Sequence, residues 1–210
     1  SQWRRRGERH GDRLRSLMEG VIRVPLAPVR FEPSDRAEMV TQALFGELLD
    51  LELVEGQPTW AKVHLHFDGY QGFIDPKLVD TSEEAVEAFE SDCLQLTTPL
   101  TAFEWAGRTL YLPAGSRIPR AAFPDHDPAP LSDVLAAAMQ FLGAPYLWGG
   151  KSILGMDCSG LTQLAGALCG MDIPRDASQQ WADSKDHRAG WNELQHGDLV
   201  FFHKEDRKST

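Results

Sequence analysis

The chain has 210 residues, of which 42% are apolar and 25% charged, and its 31 acidic residues against 21 lysines and arginines give a net charge of −10. That length can bury one large core or two small ones, in a composition ordinary for a folded protein. The acidic balance argues against a broad nucleic-acid-binding face, and no window reaches the roughly 18 consecutive apolar residues that a membrane span requires.

Six arginines fall within residues 4–15. Residues 1–15 therefore read either as a basic arm for an acidic partner or as a solvated terminus. No apolar stretch follows them, so neither a secretory nor a twin-arginine signal is read.

Residues 16–80 read as β-structure, with short apolar runs such as Val21-Ile22-Arg23-Val24 and Ala61-Lys62-Val63-His64-Leu65. Turn signals at Pro28, Pro33-Ser34-Asp35, Glu55-Gly56-Gln57-Pro58 and Asp68-Gly69 separate them. Strands so spaced predict a small barrel. The order of features resembles a bacterial SH3 domain, through Val29-Arg30 before a long loop, Glu38-Met39-Val40-Thr41-Gln42, Phe45-Gly46-Glu47, Trp60-Ala61-Lys62-Val63 and Gly69-Tyr70-Gln71-Gly72-Phe73-Ile74. His64 and His66 alternate with Val63, Leu65 and Phe67, which puts both on one face. Two histidines without a third ligand seldom hold a metal.

Residues 81–130 predict a short acidic helix near Glu83 to Glu90, strands at 94–100 and 109–112, and a Pro-rich passage from Pro113 to Pro130. They read as a second, degenerate SH3-like barrel or a linking layer. Phe123-Pro124-Asp125-His126-Asp127-Pro128-Ala129-Pro130 continues neither a helix nor a central strand, so a boundary belongs there.

In residues 131–210, Ser132 is expected to cap a helix carrying Val134, Leu135, Ala138, Phe141 and Leu142 at helical spacing, ended by Gly143 and Pro145. A turn-rich stretch leads to a second helix from Cys158, with Leu161, Leu164, Ala165 and Leu168 on one stripe and Gly170 closing it. Gly197-Asp198 followed by Leu199-Val200-Phe201-Phe202 predicts a turn running into a buried strand.

Cys93, Cys158 and Cys169 form an odd set without zinc-ligand spacing or a paired framework, as suits a reducing compartment. Asp157-Cys158-Ser159-Gly160 lies where a Gly-rich loop meets a helix N-terminus. Free backbone N–H groups and the helix dipole stabilise a thiolate there and can also receive the oxyanion of an acyl-transfer intermediate. Cys169, near the end of the same helix, reads as a small apolar residue.

Four motifs, Pro145-Tyr146-Leu147-Trp148-Gly149-Gly150, Met156-Asp157-Cys158-Ser159-Gly160-Leu161, Pro174-Arg175-Asp176-Ala177-Ser178-Gln179-Gln180 and Gly197-Asp198-Leu199-Val200-Phe201-Phe202, resemble in order and spacing the NlpC/p60 family of papain-like cysteine peptidases. With the SH3-like region in front, the chain looks like the subgroup of γ-D-glutamyl-L-diamino acid endopeptidases acting on peptidoglycan peptides with a free N-terminal L-Ala. The resemblance implies an α+β protein, an SH3-like barrel followed by a papain-like domain whose central helix presents the nucleophile to an antiparallel sheet. It implies Cys158 as nucleophile and Tyr146 as a hydroxyl donor to the oxyanion, or else an aromatic packed under the helix. Asp157 would pair with the L-Ala amine, or cap the helix, and Ser159 would add a hydrogen bond. Ser178 is a substrate contact or a cap. Glu38 and Tyr70 would close over the amine, or serve as a solvated carboxylate and a core aromatic.

The resemblance implies no metal and no organic cofactor. His196 replaces a Pro the family often has before Gly-Asp. The family's base is a His opening the strand after Leu199-Val200-Phe201-Phe202, followed by a second polar residue on a later strand, and neither strand is in the sequence; His203 follows Phe202 directly and reads as a loop residue. The catalytic domain is thus expected to be incomplete, and the chain as given inactive. The rival reading is a catalytically dead wall-peptide-binding protein, and a third keeps the fold but cleaves or transfers another acyl group. The free cysteines and unread leader favour cytoplasmic recycling of wall peptides over secretion.

Overall fold

A computed structural model of the protein describes residues 17–124 and 129–202. The arginine cluster of 4–15, Asp125 to Pro128 of the Pro-rich passage, and His203 lie outside the described residues.

The first 80 residues supply seven strands: β1 (Met18–Ile22), β2 (Leu26–Arg30), β3 (Met39–Leu44), β4 (Leu48–Val54), β5 (Gln57–Leu65), β6 (Gln71–Ile74) and β7 (Val79–Asp80). All pair antiparallel in one sheet of order β3-β2-β6-β5-β4-β1-β7. Period-2 alternation turns Leu49 and Leu51 of β4 and Ala61, Val63 and Leu65 of β5 onto one core with Ile22, Val29 and Ile74. The SH3-like order of strands is present. The expected barrel is not hydrogen-bonded shut, because no ladder joins β3 to β7. β7 is only two residues long, and the far edge at β3 is met by the second half of the chain instead.

The next layer holds α1 (Glu83–Glu90), β8 (Cys93–Gln95), β9 (Leu100–Trp105), β10 (Arg108–Pro113) and β11 (Arg117–Pro119). It forms two separate ribbons, β9 with β10 and β8 with β11. The strand expected over 94–100 is broken, since residues 96–99 turn before β9 begins and Pro99 has no N–H to give a ladder. Phe45, just after β3, anchors this layer, with its ring edge-on to Phe89 at 5.6 Å and Trp105 at 5.7 Å.

The remaining elements are α2 (Val134–Met139), β12 (Lys151–Ser152), β13 (Gly155–Met156), α3 (Cys158–Leu168) and α4 (Ala177–Asp183). Helices α2 and α3 bury Ala137, Phe141, Leu164, Ala165 and Leu168 against each other and against Ala114 of the second layer. Asp133, not Ser132, caps α2, its carboxylate accepting from the N–H groups of Leu135 and Ala136 at 2.9 and 3.2 Å. A carboxylate at that position satisfies two orphan donors and complements the helix dipole. The regular helix stops at Met139, short of Leu142.

The buried strand expected at 199–202 is not observed. Leu199 and Val200 are each 45% exposed and Phe202 is 92% exposed, because no described strand lies alongside to share a ladder. For the same reason the antiparallel sheet expected beside α3 is represented, among the described residues, only by the short pair β12–β13.

Candidate active site

Cys158 is the first residue of α3 and is exposed, whereas Asp157 and Ser159 on either side are buried. Asp157 is the N-cap. Its Oδ1 accepts from Gly160 N at 2.7 Å and its Oδ2 from Gly149 N at 2.8 Å. The cap consumes the third N–H of the helix and leaves those of Cys158 and Ser159, which no turn of helix can satisfy, for an incoming oxygen.

The group that organises this corner is Arg175, the largest fully buried side chain. Nη1 donates to Asp157 Oδ1 at 3.0 Å and Ser159 Oγ at 2.9 Å, and Nη2 to Asp157 Oδ2 at 2.9 Å and the Gly150 carbonyl at 3.4 Å. Nε donates to Thr41 Oγ1 of β3 at 2.9 Å. Burial pushes the Asp157 carboxyl up, but the guanidinium and the two backbone N–H groups outweigh it and hold it below the usual carboxylate range. With both oxygens engaged by the fork, two amides and the 3.4 Å contact of Ser159 Oγ, the carboxylate's acceptor sites are filled. This is the capping role weighed against amine binding in the sequence.

The other singled-out residues gather from both halves. Tyr146 is 69% exposed, so it is not an aromatic packed under the helix; its backbone makes an isolated bridge to Met156, immediately before Asp157. Glu38 Oε1 accepts from Trp148 Nε1 at 2.6 Å, a bond across the two halves of the chain. Gly149 sits in the left-handed region at φ +77°, and any Cβ there would strike the Met39 carbonyl, which is why the turn can lie flat on the start of β3.

Tyr70 packs partly on the sheet core, and its hydroxyl donates to the carboxylate of Asp176 at 3.1 Å. Burial, followed by the charge of Asp176, raises its pKa to about 12, so it is a phenol and a donor at neutral pH. Ser178 is exposed on the first turn of α4; it is not the cap, since Asp176 precedes the helix and its N–H donates to Gln179 Oε1 at 3.1 Å.

The other two thiols differ from Cys158. Cys93 donates to the Phe89 carbonyl at 3.5 Å, and burial pushes its pKa up; burial and the charge of Asp133 push Cys169 up. His64 and His66 both turn to Asp50 on β4, at 3.8 and 3.2 Å, and His196 lies 3.1 Å from Asp133. No group of three or more metal-ligating side chains is assembled among the described residues.

Sequence reasoning passed over Arg175, Thr41 and Trp148 as site residues. It also passed over a second polar anchor, Lys151 Nζ with Glu47 Oε1 at 2.9 Å, both nearly fully buried, with Lys151 N bonded to Gln42 Oε1 at 3.0 Å. The available signal was an arginine inside a quoted motif followed at once by Asp, and a Thr-Gln pair on an otherwise apolar strand.

Residues 143–210 match the NlpC/P60 family, and residues 29–77 match the bacterial dipeptidyl-peptidase SH3 domain. A γ-D-glutamyl-L-lysine dipeptidyl-peptidase of Bacillus cereus is 27% identical over 82% of this chain, which spans 62% of that relative's length. Dipeptidyl-peptidase 6 of Lysinibacillus sphaericus is 28% identical over 88% of this chain and 82% of its own. In fold, the chain is similar to a crystal structure of an NlpC/P60 family protein from Bacillus cereus, with a TM-score of 0.72 over 91% of this chain and 85% of that one at 21% identity. The α+β architecture with an SH3-like front and an NlpC/P60-type second half is therefore shown, and the family resemblance read from the four motifs agrees with it.

Proposed function

We propose that the second half of this chain carries the nucleophile of a cysteine peptidase that cleaves the bond between γ-D-glutamate and a diamino acid in peptidoglycan peptides with a free N-terminal L-Ala. The observation that carries the reading is Cys158, alone among the three thiols in being exposed at the start of a capped helix. The names of the two dipeptidyl-peptidase relatives support the substrate class. In the reaction the Cys158 thiolate adds to the peptide carbonyl, and the oxyanion is held by the N–H groups of Cys158 and Ser159 and by Tyr146. The C–N bond then breaks as the leaving amine gains a proton, and water hydrolyses the thioester. Glu38 and Tyr70 face the amine end from the N-terminal sheet, with Ser178 beside the motif of Arg175, and the setting is cytoplasmic recycling of wall peptides.

No proton donor is placed beside Cys158 among the described residues. The three described histidines with ionic partners pair with Asp50 and Asp133, and none is hydrogen-bonded to Cys158. A positioned acid is worth about 10² to 10⁴ in rate, so the described residues alone would turn over amides poorly while keeping a reactive thiol. That favours, as a second reading, a wall-peptide-binding protein.

The test is hydrolysis and binding of L-Ala-γ-D-Glu-diaminopimelate and its N-acetyl form, with iodoacetamide labelling of the chain in parallel. Glu38 is the carboxylate left for the amine and it is exposed; a surface charge pair is worth about 0.2 to 1 kcal/mol, so acetylation should weaken recognition by up to about fivefold. Equal recognition of both forms refutes the amine requirement, and a Cys158 no more reactive than Cys93 refutes the nucleophile.

A further inference from the structure

Thr41 lies in the middle of β3, completely buried, in the half of the chain that does not contain the nucleophile. Its hydroxyl nevertheless takes part in the nucleophile's surroundings through Arg175. A guanidinium has five N–H donors, and all five are used here: one on Thr41, two on the Asp157 carboxylate, one on Ser159 and one on the Gly150 carbonyl. The plane of the fork is fixed by its donors at both ends. The two Nη atoms set the Asp157 carboxylate, which caps Gly160, and the turn at Gly150, against whose carbonyl Gly160 is packed so closely that a Cβ would not fit. Nε is the one donor that reaches the sheet.

We propose that Thr41 is a positioning residue for Cys158, acting from the N-terminal sheet through the Arg175 guanidinium on the Asp157 cap. Without its hydroxyl the Nε–H has no acceptor in a site closed to water. An unsatisfied buried donor is costly enough for the fork to rotate or recruit a new partner, and rotation tilts the Asp157 carboxylate and with it the first turn of α3. The N–H groups of Cys158 and Ser159, in that first turn, then shift with it. The N-terminal sheet is on this account a structural member of the reactive corner.

The inference rests on Cys158 being the reactive thiol, and the test separates the two. The full 210-residue chain is compared with Thr41→Val, which keeps the shape and removes the acceptor, and Thr41→Ser, which keeps the acceptor. The readout is the rate of iodoacetamide alkylation at each cysteine at neutral pH. Thr41→Val should slow Cys158 about tenfold, within what a small misplacement of a reacting group costs, with Cys93 and Cys169 still protected, and Thr41→Ser should restore the rate. Wild-type labelling of Cys158 in Thr41→Val, or equal slowing in both variants, overturns the inference. So does a Thr41→Val protein in which all three thiols label together, because the hydroxyl then holds the fold and not the nucleophile. A wild-type Cys158 no faster than Cys93 overturns the nucleophile assignment and this inference with it.

Discussion

Asp157 joins a negative charge, a helix cap and a buried arginine in one side chain, and its behaviour with pH follows from that. Its carboxyl titrates below its unfolded value, so it stabilises the fold at every pH above about 4, the ordinary carboxylate value. That contribution is lost as the pH falls through the lowered folded value. Denaturant midpoints measured from neutral pH down to pH 3 should therefore drop more steeply for the wild type than for Asp157→Asn, which starts less stable because it leaves Arg175 a buried, unpaired charge, a loss of about 3 to 5 kcal/mol for such pairs. Parallel curves would show that another carboxylate controls acid unfolding. At the same scale, Cys158→Ser should abolish iodoacetamide incorporation, while Cys93→Ser and Cys169→Ser leave it nearly whole, since burial holds both of those thiols up. Mass-spectrometric mapping of the adducts decides it.

Between elements, the contact of the β3–β4 turn with Lys151 of β12 depends on buried charge. Lys151 and Glu47 are about as enclosed as core leucines, and Glu47 Oε2 has no partner among the described residues. Desolvation pushes the Glu47 carboxyl up despite its neighbouring ammonium, a sign that the site tolerates the ion pair without gaining much from it. Glu47→Leu or Lys151→Met alone should cost about 3 to 5 kcal/mol, while the double replacement should be near neutral or stabilising. A double-mutant cycle by urea denaturation tests this, and additive losses would contradict it. Such pairs explain what the sequence left unread. Helix α3, its stripe and its stop at Gly170 were legible because period and punctuation are local, and Cys158 was legible because it begins that helix. The partners Thr41–Arg175 and Gln42–Lys151 are 134 and 109 residues apart, and no periodicity encodes a contact at that distance. The cap of α2 went to Asp133 because adjacent Ser and Asp are both good caps and only the backbone decides between them. The strand at 199–202 failed because apolar residues specify a strand only when a neighbour is there to pair with it.

For the whole molecule, the two halves share a seam in which β3 takes part along both of its faces. Thr41 and Gln42 are consecutive, so they project to opposite sides of the strand, yet both bond to the second half. The second half thus grips β3 from above and below. β3 is also a terminal strand of its sheet, and a terminal strand offers a row of unpaired N–H and C=O groups on which another chain can build. The grip is therefore expected to hinder strand addition at that edge. Residues 1–124 prepared without the second half should fold their sheet core but self-associate with concentration, visible by sedimentation velocity, whereas the full chain at the same concentration shows less of the strand-rich aggregate. If the fragment stays monomeric, the flank is protected by its own twist. In the intact chain, the same turn that leads to Cys158 is expected also to keep the sheet from becoming a template.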